Sequence, residues 1–329
     1  VLTVLVLAGA WFLIADSLRD EEKELRTRLR ETVKEQFPEE AAAHSDTFGL
    51  MRFELDRDGA SEAPRGTVVL VHGLDDPGLV WRSRAPALAA EGHDVRLLEY
   101  PNDQPIAESA AFFFEEMKAL RSEGVERVCV VAHSMGGLVT REMLTSPATG
   151  FAAAARAGTV PGVSTFIMVG TPNHGSPLAR LRGLAEVRDQ LARLANGKGS
   201  WLGGILDGAG EAKIDLLPES RFLTELNRRP HPEGVGMLIV AGVAGPWSED
   251  DIEGWIEEER RGASAEEAKS LEELGVGLVS LTRGLGDGLV SVESTQLEGV
   301  EHLIVEGTHL TMIRNVTEGS ERVPPAVPL

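Results

Sequence analysis

The sequence predicts an α/β fold built on a mostly parallel, doubly wound sheet, and three observations carry that prediction. Short apolar runs alternate with helical stretches from about residue 48 onward, as in successive βαβ units. The inner runs, GTVVLVHG (66–73) and RVCVVAHS (127–134), are continuously apolar, as strands buried on both faces are. Glycines bound them: Gly73 ends the first, while Gly124 precedes the second and Gly136 and Gly137 follow it.

In chain order, FGLMRFELD (48–56) reads as an edge strand and GTVVLVHG as the first inner strand. DVRLLEY (94–100) follows, then a helix over about 105–122, the central strand RVCVVAHS, and a helix over about 136–145. STFIMVGTP (164–172), GMLIVAG (236–242) and VEHLIVEG (300–307) complete the sheet. Two stretches interrupt the alternation. Residues 175–235 exceed what one crossover helix needs and include the Gly- and Leu-rich GSWLGGILDGAG (199–210). Residues 246–275 hold eleven acidic against three basic residues, with Trp247 and Trp255 among them. Insertions after strands project from the carboxyl end of the sheet, where ligands bind. Residues 175–235 are therefore expected to cap a site, with surface decoration as the alternative, while for 246–275 cap and surface decoration both stay open.

Composition narrows the class of partner. The chain is 42% hydrophobic and 26% charged, ordinary for a globular protein, and its formal net charge is -20. That balance argues against nucleic acid and against electrostatic docking on anionic lipid, and favours a neutral or apolar substrate. The single cysteine, Cys129, excludes an intrachain disulfide and reads as a core residue.

Residues 1–15, VLTVLVLAGAWFLIA, carry no charge and read as a signal peptide or signal-anchor segment, shorter than the roughly 20 residues of a membrane span. Residues 16–45 read as a charged, solvated helical stalk, ahead of a folded domain over 46–329. A buried N-terminal helix is the alternative for the leading run. The expected setting is a membrane-anchored or secreted protein with its folded domain outside the cytoplasm.

Chemistry concentrates at Ala132-His133-Ser134-Met135-Gly136-Gly137. A strand must turn sharply into a helix here, and small residues two before and two after Ser134 permit the turn. Ser134 is the candidate nucleophile; a merely structural turn serine is the alternative. A serine hydroxyl needs a base, and the base needs an orienting acid. His309, in a loop after the last strand, is the candidate base, over His174, His231 and His302. Asp287, in the glycine-flanked GLGDGLVSV, is the candidate acid. Its rivals are Asp250, Asp251 and Glu293, and its bland reading is an Asp-Gly turn. An oxyanion would be met by the backbone N–H groups of Met135 and Leu74, the latter in Val71-His72-Gly73-Leu74. His72 reads as a structural loop histidine rather than a second base, and His133 as packing beside the turn.

With these residues in hand, the chain resembles bacterial lipases and esterases of the α/β-hydrolase superfamily that carry alanine at the first position of the nucleophile elbow. The resemblance rests on VHGL (71–74), AHSMGG (132–137), GTPNHGSP (170–177), DLLPESRFLTELN (215–227), GDGLVSVES (286–294) and GTHL (307–310). It implies the triad Ser134, Asp287 and His309 with oxyanion amides at Leu74 and Met135, no cofactor, and a bacterial periplasmic or exterior setting. Some relatives bind structural calcium, but no carboxylate cluster with ligand spacing stands out here. The implied activity is a serine carboxylester hydrolase on lipid-like esters, working through an acyl-enzyme. Thioesterase, phospholipase, polyester depolymerase and acyltransferase share that step, and a GPI-inositol-deacylase-like activity fits similar motifs. An inactive hydrolase-fold scaffold is the non-enzymatic alternative.

Overall fold

A computed structural model describes residues 19–36, 47–54, 64–74, 78–176, 210–245, 249–261, 265–315, 320 and 322–328. Among the described residues seven strands form one sheet: β1 (Gly49–Arg52), β2 (Thr67–Val71), β3 (Asp94–Glu99), β4 (Arg127–His133), β5 (Gly162–Val169), β6 (Gly236–Val243) and β7 (Glu301–Glu306). Their order is β1-β3-β2-β4-β5-β6-β7, with β1 antiparallel to β3 and the other pairs parallel. All seven runs expected from the sequence form strands. The expected edge strand pairs along only four residues.

Every residue of β2 is buried, because helices cover both faces of the sheet. Val69 and Val71 pack on one face with Phe113, Met117 and Leu138; Val68 and Leu70 pack on the other with Trp81, Leu88 and Met312. The helices are α1 (Arg19–Gln36), α2 (Arg84–Ala90), α3 (Ile106–Ser122), α4 (Met135–Thr145), α5 (Phe151–Arg156), α6 (Glu211–Asp215), α7 (Arg221–Asn227), α8 (Glu249–Arg260), α9 (Ala265–Leu285) and α10 (Val292–Thr295). In α3 the buried Ile106, Ala110, Phe113, Met117 and Leu120 recur at three- and four-residue spacing, the apolar stripe of a helix lying on a sheet.

The chain leaves β2 for β3 on one side, then crosses to β4 on the other. That reversal opens a crevice at the carboxyl ends of β2 and β4, where parallel sheets place their ligands. The acidic insertion forms α8 and α9, and α9 continues past residue 275 to Leu285, delivering the chain directly to Asp287. Residues 177–209, most of the expected lid, and the apolar run 1–15 lie outside the described residues. Among the described residues no helix is long and apolar enough to cross a membrane.

Helix α1 falls in the stretch read as a solvated stalk, yet one face of it packs on the domain. Arg30 is 1% exposed, makes two 2.8 Å hydrogen bonds to Glu108, and bonds Gln104 at 3.0 Å. Its Nε lies 3.3 Å from the fully buried Glu211, which also accepts from Thr27 at 3.0 Å. Lys23 pairs with Asp215, whose second oxygen accepts from the Ile106 N–H at 3.0 Å. Burial pushes the Asp215 carboxyl up, and Lys23 and the Ile106 amide offset it. Removing one partner of a buried ion pair leaves a charge without compensation, so Arg30→Ala is expected to cost about 3 kcal/mol in denaturant unfolding. A loss under about 0.5 kcal/mol, the scale of a surface substitution, would show that the helix only rests on the surface.

Candidate active site

Ser134 stands between β4 and α4 with φ 54 and ψ -129, a backbone conformation that side chains rarely adopt. Its N–H donates to the Val169 carbonyl at 2.8 Å, tying the turn to the end of β5. The turn is crowded. A Cβ on Gly136 would stand 2.4 Å from the His72 carbonyl oxygen, and one on Gly73 2.7 Å from the Ser134 Cβ. Glycine at these places lets the β2 loop pass directly against the serine. The alanine at position 132 is fully buried within β4.

Met135 is the first residue of α4, so its N–H is among those with no partner inside the helix, at the positive end of the helix dipole. Gly73 runs beside the serine side chain, and the Leu74 amide follows it immediately. The two expected amide donors therefore flank Ser134 at the carboxyl ends of β2 and β4.

Asp287 and His309 meet across 22 residues, with His309 Nδ1 2.6 Å from Asp287 Oδ2, and both are buried. The other carboxylate oxygen accepts the Leu289 and Val290 N–H groups at 2.9 and 2.8 Å. The His309 N–H donates to the Asp287 carbonyl at 2.9 Å, so backbone and side chain both hold the pair. The Asp-Gly loop thus aims a carboxylate as well as reversing the chain. Gly170, which follows β5, completes the enclosure: a Cβ there would lie 3.1 Å from Asp287 Oδ2 and 3.2 Å from His309 Nδ1.

The other downstream histidines make contacts of their own. His174 and His231 are exposed and bond the carbonyls of Gln296 (3.1 Å) and Glu298 (2.8 Å). His302 is partly buried beside Thr295, 2.8 Å from its hydroxyl, rather than free on the surface. Glu293 is exposed in α10, and Asp250 and Asp251 lie in α8.

Read from sequence alone, His133 only packs beside the turn. Its Nε2–H donates to the His309 carbonyl at 2.8 Å, and the two rings lie 4.6 Å apart. The residue before the serine thus braces the residue paired with Asp287, a contact across 176 positions that no local pattern announces. Complete burial, then the neighbouring His309, hold the His133 imidazole well below its ordinary range. It stays neutral in the fold while the unfolded chain takes up a proton below about pH 6.5. Stability should therefore fall as pH drops from about 6.5 toward the lowered folded value, by at most about 1.4 kcal/mol per pH unit, and not change above it on this account. Urea midpoints at pH 5 and 7.5 check this: His133→Gln, which does not titrate, should lose that part of the slope. An unchanged slope would assign the acid sensitivity to other groups.

A strained serine at a strand-to-helix turn, beside a buried Asp–His pair on a parallel sheet, defines the class of an α/β-hydrolase. The sequence agrees: the model of the alpha/beta hydrolase family matches residues 68–292, and the chain belongs to that family. Among solved structures, the mature lipase BlEst2 of Bacillus licheniformis is 19% identical, with 80% of this chain and 92% of that one covered and a TM-score of 0.50. A metagenomic carboxyl esterase is 20% identical over 83% of this chain and 76% of that one, with a TM-score of 0.48. A search of curated proteins finds no match. Among the described residues no group of three or more His, Cys, Asp or Glu is arranged to hold a metal ion.

Proposed function

We propose that the chain is a serine carboxylester hydrolase in which Ser134 is the nucleophile, His309 the base and Asp287 the orienting acid. The observation that carries the reading is the 2.6 Å Asp287–His309 pair at the same sheet edge as the positive-φ Ser134. His309 Nδ1–H is committed to Asp287, which leaves Nε2 as the proton acceptor.

The Ser134 Oγ–H proton passes to His309 Nε2 as Oγ bonds the ester carbonyl carbon. The carbonyl oxygen becomes an oxyanion facing the Leu74 and Met135 amides. The C–O bond to the alcohol then breaks, the alcohol leaves with the His309 proton, and an acyl-Ser134 ester remains. Water, deprotonated by His309, returns the carboxylic acid and free serine.

The acidic chain and the apolar insertion at 199–210 favour a neutral, lipid-like ester. The uncharged run 1–15 supports a membrane-proximal or secreted setting outside the cytoplasm. The test is hydrolysis of p-nitrophenyl esters from short to long acyl chains, with Ser134→Ala as the blank, and labelling of Ser134 by a fluorophosphonate. Ester turnover and labelling that both persist in Ser134→Ala would overturn the reading. A folded protein with neither in the wild type would leave the fold as a binding scaffold.

A further inference from the structure

His72 directly follows β2 and is 1% exposed, and the proposed mechanism gives it nothing to do. Its surroundings are specific. Nδ1 lies 2.8 Å from the Gly73 carbonyl oxygen, and since a carbonyl only accepts, Nδ1 carries the proton and donates. The ring stacks on Tyr100, with centroids 4.6 Å apart and planes 27° from parallel. The Tyr100 hydroxyl donates to the His72 carbonyl at 2.8 Å, and Glu99 Oε2 lies 3.4 Å from Nε2. Stacking on Tyr100 and the bond to Gly73 hold the ring, and its one donated hydrogen bond goes to the Gly73 carbonyl.

That bond has a directional consequence. The Gly73 carbonyl and the Leu74 N–H belong to one planar peptide unit, which is trans, so they point in opposite directions. Holding the oxygen against the His72 ring turns the Leu74 N–H away from the ring. Gly73 itself is pressed against Ser134, since a Cβ on it would fall 2.7 Å from the serine Cβ and 3.2 Å from its Oγ. The same peptide therefore has its oxygen anchored on the buried His72, its N–H pointing the opposite way, and its glycine against the serine.

We propose that His72 is the positioning residue of the oxyanion site: by hydrogen-bonding the Gly73 carbonyl it aims the Leu74 amide at the oxygen that becomes negative during attack. The proposal rests on the serine-hydrolase reading above. Without that bond the flanking glycine leaves the peptide free to rotate, and the amide has to be reoriented in each turnover. A preorganised donor acts in the transition state and not in substrate binding, so the loss falls on kcat and not on KM.

Three substitutions test it. Asparagine places an amide N–H near the position of Nδ1, whereas glutamine places one nearer Nε2, and leucine has none. His72→Leu and His72→Gln are expected to lose on the order of 10²-fold in kcat on a p-nitrophenyl ester, with KM within about twofold. Inhibition by phenylboronic acid, whose serine adduct puts an oxygen in the same site, should weaken in parallel. His72→Asn should recover about tenfold or more of the lost kcat.

Equal losses in Asn and Gln, or a His72→Leu kcat within about threefold of wild type, would overturn the proposal. So would a loss confined to KM. Should His72→Leu fail to fold, the Asn and Gln pair decides alone. If these criteria fail while Ser134→Ala abolishes turnover, the proposal falls and the serine-hydrolase reading stands. Undiminished turnover in Ser134→Ala overturns both.

Discussion

Ser134→Ala should lower kcat on a p-nitrophenyl ester by about 10⁵-fold and leave the unfolding transition unshifted or slightly raised. The size follows from what the hydroxyl supplies. It is the only atom of the turn that can form the acyl bond, and its removal leaves catalysis to bound water and the oxyanion amides. The direction of the stability change follows from the geometry. Ser134 adopts φ 54 because the chain must turn between β4 and α4 in a space closed by Gly73, Gly136 and Val169, and alanine meets the same constraint. On the proposed mechanism the hydroxyl serves chemistry and not folding, so activity and stability should separate cleanly. A variant keeping more than about a hundredth of wild-type kcat would show that the serine is a turn residue.

Asp287→Asn should cost about 10⁴-fold in kcat without unfolding the protein, and the hydrogen bonds show why so small a change is so damaging. Oδ1 of Asp287 accepts two backbone N–H groups, from Leu289 and Val290, and an acceptor must remain there. Asparagine satisfies them with its carbonyl oxygen, which forces its NH₂ toward His309 Nδ1. That nitrogen must then accept rather than donate, so the imidazole proton moves to Nε2, the atom that takes the Ser134 proton in the proposed mechanism. The base is present, correctly placed and in the wrong tautomer. Kinetics on the ester series, with a thermal midpoint within a few degrees of wild type, would check it. A loss under about tenfold would mean that His309 is oriented by other contacts, foremost the bond from His133 and its own N–H on the Asp287 carbonyl.

Much of this arrangement is legible in the sequence, for reasons of local chemistry. A strand buried on both faces must be apolar throughout, and β2 and β4 announce themselves so. A tight strand-to-helix turn needs small neighbours, and Gly136 and Gly137 mark it. The order serine, acid, histidine along the chain pointed to Asp287 and His309, which lie in hydrogen-bond contact.

Other features left no such mark. Arg30 looks like any charged residue of an exposed helix with alternating signs, and only the approach of Glu211, 181 positions on, makes it a buried partner. His133 reads as a packing residue and His72 as a structural loop histidine because a carbonyl acceptor has no signature in sequence.

The residues by themselves determined which segments become strands, where the chain turns and which side chains are able to do nucleophilic chemistry, because periodicity, backbone freedom and functional groups are local properties. Only the tertiary structure decided that α1 is docked on the domain, that His133 bonds the His309 carbonyl, and that the Gly73–Leu74 peptide has its oxygen turned into the core. Those outcomes depend on parallel register bringing the ends of β2, β4, β5, β6 and β7 to one edge, and on how each loop then satisfies its own polar groups.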